Sequence, residues 1–432
     1  MSQTKIVALL AGAALSLGTA VAQTSSVDRA VDAERLSTAT SQSNFQGGGD
    51  SATMKVGGLI QFRYNANWRS DGTSTQPAGT ITKDDDFTTG FEGGKTKLWV
   101  KGNAAENLEY AVQGDFASSG GAFVLDDAWF KYSFSNNFAV KGGQFKLPIL
   151  REENISDQYQ LSAQRSLTNQ VFTQGRSQGV QLEFVQDSFR AMVAFSDGIR
   201  SKNTDFNSAA EADWALTGRV DFRIDGDWKR FDDLTSFKGD PFAAMVGGAI
   251  HFQGGSDTGD GNDAAANTTS ANFILYTIDA QIEGDGWNAF AAFIGSNTDP
   301  QAAGDDSTSA YGIVVQGGVF LDQNWELFGR WDAIFADKNA GGATNLDPKS
   351  FHFLTAGVNY YLIPKKHTMK FTAGVTVALN ETYDLQTVNV LGGTGGSAPS
   401  GTGAVLPYTG GGILGDIDSG ELGLFGQVQV LF

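Results

Sequence analysis

One polar segment concentrates the side chains that could do chemistry. Between Val140 and Arg176 the chain carries Lys146, Arg151, Glu152, Glu153, Asp157, Arg165 and Arg176. The segment opens as a strand ending at Pro148, and strand patterning resumes at Gln178. A long charged stretch set into a regular β scaffold is either functional or disordered. Cations and carboxylates at this density suit attraction and selection of ions. A second basic set, Lys95, Lys97 and Lys101, shares one strand face with Trp99, and Lys131, Arg219 and Arg330 add inward-facing charge elsewhere. Converging Lys and Arg hold oxyanions through charge-assisted hydrogen bonds. Catalytic chemistry has little support. His251, His352 and His367 have no Ser or Asp partner at motif spacing, and cysteine is absent. The reading is therefore no enzyme, no catalytic residue, no metal centre and no cofactor.

The elements that must position these charges are strands. Apolar and polar residues alternate with a period of two from Met54 onward, as in Ile60, Phe62 and Tyr64 against Gln61 and Arg63. Such strands have one apolar and one polar face. Sixteen are predicted: 54–64, 91–101, 107–117, 124–134, 138–146, 178–185, 188–197, 212–224, 241–253, 272–283, 286–296, 309–321, 324–335, 351–362, 366–379 and 421–432. Most have the length of a tilted strand crossing a bilayer, roughly 9–11 residues. Short connections such as Gln186-Asp187 and Gly284-Asp285 alternate with long ones such as 254–271 and 380–420. That alternation fits an outer-membrane barrel with short periplasmic turns and long external loops. Two connections depart from it: 118–123 is short for an external loop, and 225–240 is long for a periplasmic turn.

The fold class expected is all-β, a transmembrane antiparallel β-barrel of sixteen strands spanning 54–432. Ahead of it, residues 1–22 read as an export signal: Lys5, an apolar run to Leu17, then Ala20-Val-Ala22. Residues 23–53 read as a flexible or short-helical periplasmic extension. The net charge of −18 argues against nucleic acid as a partner. Acidic stretches at Asp84–Asp86 and Asp257–Asp263 are solvated charge, with calcium as an alternative use. Tyr64, Trp68, Tyr132, Trp325, Tyr360 and Tyr361 lie near strand ends, where an interfacial aromatic girdle would sit.

Several short motifs follow one another along the chain: Asp126-Asp-Ala-Trp-Phe-Lys-Tyr132, Gly143-Gln-Phe-Lys146 with Pro148, Arg165-Ser166, and Gly175-Arg176 with Gly179-Val-Gln-Leu182. Further on come Trp325-Glu-Leu327 with Arg330, Gly357-Val-Asn-Tyr-Tyr361 and the terminal Gln427-Val-Gln-Val-Leu-Phe432. In this order they resemble the phosphate-selective porin O and P family of Gram-negative outer membranes. The resemblance implies a sixteen-stranded, usually trimeric porin whose loop after the fifth strand, here 147–177, folds into the lumen. It also implies that Phe432 is the aromatic end read by the outer-membrane assembly machinery. Where the family often has paired arginines, this chain has Gly93-Gly-Lys-Thr-Lys97, which keeps charge but loses bidentate geometry.

Charges on the lipid face near the midplane would cost about 2–4 kcal/mol for Lys or Arg, so they are expected inward. Two roles are open to them: pairing across strands to stiffen the wall, or selecting ions at a constriction. Because Glu152, Glu153 and Asp157 accompany the cations, a mixed-charge eyelet is expected. The function expected is a passive outer-membrane channel for small hydrophilic solutes, with preference for anions, phosphate among them. The alternative is a non-channel barrel acting as receptor or adhesin. Its partners would be outer-membrane lipid, small anions and two further copies of the chain.

Overall fold

The computed structural model describes residues 52–70, 72–76, 79–83, 86–117, 121–206, 208, 211–254, 271–300, 307–337, 349–382, 412–416 and 419–432. The expected export signal, nearly all of the extension, the acidic stretches at Asp84–Asp85 and Asp257–Asp263 and most of the 380–420 connection lie outside the described residues.

Among the described residues, eighteen strands follow in chain order. They are β1 (Thr53–Arg69), β2 (Gly72–Gln76), β3 (Gly79–Lys83), β4 (Asp86–Ala105), β5 (Leu108–Asp115) and β6 (Val124–Ser133). Next come β7 (Phe138–Phe145), β8 (Ser177–Val185), β9 (Phe189–Ser196), β10 (Trp214–Asp225), β11 (Ala243–Gly254) and β12 (Ala271–Gly284). The last are β13 (Trp287–Pro300), β14 (Thr308–Phe320), β15 (Trp325–Ala336), β16 (Lys349–Tyr361), β17 (Met369–Ala378) and β18 (Leu422–Leu431). Sixteen of them form one closed barrel in which sequence neighbours pair antiparallel, and β2 with β3 is a separate hairpin. Closure runs between β1 and β18, in register from Leu59↔Leu431 to Trp68↔Leu422. Gly58 and Phe432 exchange backbone hydrogen bonds of 2.8 and 3.0 Å, so the chain end helps to seal the barrel. Closing a sheet removes its unpaired edges, which a bilayer would not tolerate.

All sixteen expected strands are present, and three run several residues past their expected bounds, β13 by extending to Pro300. β1 and β4 run well past the expected 54–64 and 91–101. Beyond the apolar band, alternation need not persist, because a protruding ladder meets water on both faces. The faces follow the alternation. Phe62, Phe130, Leu182, Phe195 and Ile278 are exposed outward, while Gln61, Arg219, Asp279, Glu326 and Gln429 are buried inward. Tyr361 corrects the expected girdle. It is fully buried inside against Phe237, Phe320 and His367, because its parity is opposite to that of the outward-facing Tyr360.

Among the described residues, two connections fold deep into the lumen. Residues 146–176 carry the short helices α1 (Arg151–Asn154) and α2 (Leu167–Phe172). Ser166 caps α2 by accepting from the Asn169 amide at 2.9 Å. Leu147, Ile149, Leu150, Leu167, Val171 and Phe172 pack against inward Phe273, Leu275, Ile294, Ile334, Phe351 and Phe353 of the wall. Each such side chain contributes roughly 1.5–3 kcal/mol on leaving water, which offsets the entropy of ordering the loop. From the opposite, short-turn end, 226–242 also folds inward. Its Leu234 packs with Ile155 and Leu161 of the first segment, and the Leu234 amide donates to the Tyr159 carbonyl at 3.2 Å. Its length, anomalous for a short turn, is thereby explained: it reaches the middle of the barrel.

Candidate pore constriction

The inward loop is held to one side of the barrel through its backbone. Lys370 Nζ donates to the Gln160 carbonyl (2.7 Å), Asn359 Nδ2 to Leu161 (2.8 Å), Arg63 Nη2 to Ala163 (3.1 Å) and Arg330 Nη1 to Gln164 (3.0 Å). The Thr168 amide donates to Asp332 Oδ2 at 3.0 Å. Irregular backbone inside a barrel needs such partners, because buried carbonyls and amides cannot be left unpaired. These donors come from β1 and β15–β17, so residues 160–164 of the loop lie on that wall.

A run of alternating charge then crosses the lumen. Glu152 accepts from the Ser166 amide (2.7 Å) and hydroxyl (2.6 Å). Glu153 pairs with Lys146 (3.0 Å) and Arg165 (3.4 Å). Arg165 pairs in turn with Asp157, and Asp157 reaches Lys97 on β4 at 2.6 Å. Lys97 lies 3.4 Å from Asp126, which also meets Arg176 at 3.4 Å, and Arg176 pairs with Asp127 at 3.0 Å. Burial alone would raise the Glu153 carboxyl, but Arg165 and Lys146 hold it well below the usual range. Burial, reinforced by Arg165, lowers the Lys146 ammonium to about 8 despite Glu153.

Opposite the packed wall a cavity of about 620 Å³ remains. Eight Lys or Arg side chains line it, against four Asp or Glu. Lys97, Lys101, Lys146, Arg151, Asp157, Arg176 and Arg219 from the expected set are among them. Arg219 on β10 grips Asp279 on β12 with both terminal nitrogens (2.9 and 2.8 Å), meets Asp221 at 2.7 Å, and donates to the Ile149 carbonyl of the loop at 2.7 Å. Gly247 on β11 stands between the two carboxylates; a Cβ there would lie 2.1 Å from Asp221 Oδ1 and 2.5 Å from Arg219 Nη2. A side chain would displace this ion triad, so the glycine is required by space.

The remaining expected site residues lie away from the cavity. Glu152, Glu153, Arg165 and Arg330 are packed between loop and wall, with Arg330 3.4 Å from Asp332 and 3.9 Å from Glu152. Lys95 pairs with Asp115 at 3.5 Å, and Lys131 with Glu109 at 3.3 Å near the short-turn end of β6. For Glu152, Glu153, Arg165 and Arg330 the reason is volume: the loop fills the space there, so these charges face protein, whereas Lys95 and Lys131 pair with carboxylates of neighbouring strands. Sequence reading missed Lys141 and Trp129 as cavity residues, although strand alternation points both inward. It also missed Phe231 and Asp232, which enter from the long turn with no periodic signal. Of the histidines, His251 hydrogen-bonds Thr217 and Gln253, His367 lies 3.6 Å from Asp233, and His352 stacks on Trp331.

A closed sixteen-stranded barrel with an apolar exterior, a charged interior and an inward loop defines an outer-membrane porin, a channel rather than an enzyme. The chain belongs to the family of phosphate-selective porins O and P, whose model matches residues 62–389. No curated protein matches it by sequence. Solved structures share the fold at low identity. An anion-selective porin from Comamonas acidovorans is 11% identical, with 88% of this chain and 100% of that one covered at a TM-score of 0.56. The outer-membrane channel DcaP of Acinetobacter baumannii is 12% identical, with 88% and 99% covered at 0.52. OmpT of Vibrio cholerae, folded in vitro and described in trimer form, is 11% identical, with 89% and 100% covered at 0.51.

Proposed function

We propose that this porin prefers anions, and that its constriction lies where residues 146–176 narrow the lumen against the β4–β10 wall. The observation carrying this reading is the sign of the open cavity. Cations outnumber carboxylates two to one there, eight to four, in a chain whose net charge is −18. Acidic residues elsewhere do not oppose this, because charges beyond about 10 Å are screened at ordinary salt. Lys97, Arg176 and Arg219 are committed to carboxylates, so they shape the path more than they attract solutes. Lys101 is exposed and has no carboxylate within ion-pair distance among the described residues, so its field is available to ions. The family name and the anion-selective structural relative support the reading. Residues 1–22 as an export signal and 23–53 as a periplasmic extension complete it.

The test is the reversal potential of the purified channel in a planar bilayer under a tenfold potassium chloride gradient. The expected sign is that of chloride preference. A potassium-signed potential would refute the proposal, and no conductance steps at all would refute channel activity itself.

A further inference from the structure

We infer that the cavity takes aromatic carboxylates, which bind at its two cation–ring pairs, Lys141 with Trp129 and Arg151 with Phe231. The inference rests on the anion reading above and names the class of solute.

Two cavity cations differ from the others in their partners. Lys141 Nζ lies 4.7 Å from the Trp129 ring centroid and 4.5 Å from that of Phe145. Among the described residues it has no hydrogen bond and no carboxylate within ion-pair distance. The Arg151 guanidinium lies 5.7 Å from the Phe231 ring. Its Nε and Nη2 donate to Gln281 Oε1 at 3.0 and 2.9 Å, and Nη2 also to the Phe231 carbonyl. Its Nη1 makes no hydrogen bond among the described residues, and no carboxylate lies within ion-pair distance. A cation whose partner is an aromatic face keeps its charge and free N–H groups for a ligand, whereas one in an ion pair does not.

Trp129, Phe231, Lys141 and Arg151 all line the one cavity, on different elements: β6, the inward turn, β7 and α1. The free donors therefore come with apolar, ring-shaped surface beside them, and Tyr159 and Pro148 line the same cavity. Inorganic phosphate uses only donors and gains nothing from rings. A flat ring carrying one carboxylate uses both, stacking in offset or edge-on contact while its carboxylate takes the open N–H groups.

The probe is block of chloride current through the purified full-length channel by benzoate, by acetate, which has the carboxylate without the ring, and by inorganic phosphate. Benzoate is expected to half-block at about fivefold lower concentration than acetate, the scale of one aromatic contact. Each variant's block is normalised to its own open current. Trp129→Leu and Phe231→Leu should each shrink the benzoate-to-acetate ratio, and Lys141→Gln should weaken both carboxylates together. Trp129 belongs to the barrel wall, whereas Phe231 belongs to a turn, so the second variant decides if the first does not assemble. Equal block by benzoate and acetate, or strongest block by phosphate, would overturn this inference while a chloride-signed reversal potential leaves the anion reading intact. A potassium-signed potential would remove both.

Discussion

Lys146 shows how position sets the property of a single charge. It follows β7 directly and lies in the loop, against Glu153 at 3.0 Å with Arg165 behind that carboxylate. Asp157 and Arg176 also act on it. Burial lowers its ammonium to about 8 from 10.5. The group is therefore cationic at pH 7 and largely neutral at pH 9. Raising the pH through this window removes one positive charge from the cavity, so the chloride preference read from the reversal potential should fall about two- to fivefold. In Lys146→Gln that step should vanish; if it persists unchanged, another group is titrating. The stability sign is opposite. The unfolded lysine stays protonated to about pH 10.5, so the unfolded state binds more protons between 8 and 10.5, and stability rises with pH there.

At the scale of elements, the loop 146–176 is held by three different things. Wall donors satisfy its backbone, six apolar side chains anchor it, and Glu153 neutralises two buried cations. Glu153→Gln would leave Lys146 without its carboxylate, while Arg165 keeps Asp157. Breaking a buried ion pair costs roughly 3 kcal/mol at the low end, because the stranded charge stays desolvated. The cost falls on loop docking, since barrel hydrogen bonding is untouched. Single-channel current should then be larger and noisier than in the unmodified protein. Current of unchanged size and variance would show that the wall donors and apolar anchors fix the loop without Glu153. The long turn 226–242 braces the same loop from below, through Leu234 and through the Phe231 carbonyl that accepts from Arg151. The proposed constriction thus rests on two connections meeting.

For the whole molecule, the barrel closes on its own C-terminal strand, and its outward face is a continuous apolar belt. The trimer that the motif resemblance implies is open to test. Chemical cross-linking of the protein purified in mild detergent should give a ladder ending at three copies. A ladder ending at one would refute trimerisation. The function that follows is passive: a wet path, a charged wall and two inward segments that set its width.

Much of this was legible in the chain. Alternation fixed which residues face out and which face in, because a strand's side-chain period is two and leaves no freedom once one face meets lipid. Short and long connections marked the two ends of the barrel. The run from Lys146 to Arg176 stood out by its length and charge as either functional or disordered. Other features depend on contacts distant in sequence. Inward-facing Phe273, Leu275, Phe351 and Phe353 break the expectation of a polar lumen, since they serve a loop more than 90 residues upstream in the chain. Nothing local distinguishes Lys97, spent on Asp157, from Lys141, left with an aromatic face. Sequence by itself determined the barrel, its faces and the loop that could narrow it. Only the tertiary structure decided which charges are spent and which stay open, because pairing depends on which strands and loops meet across the lumen.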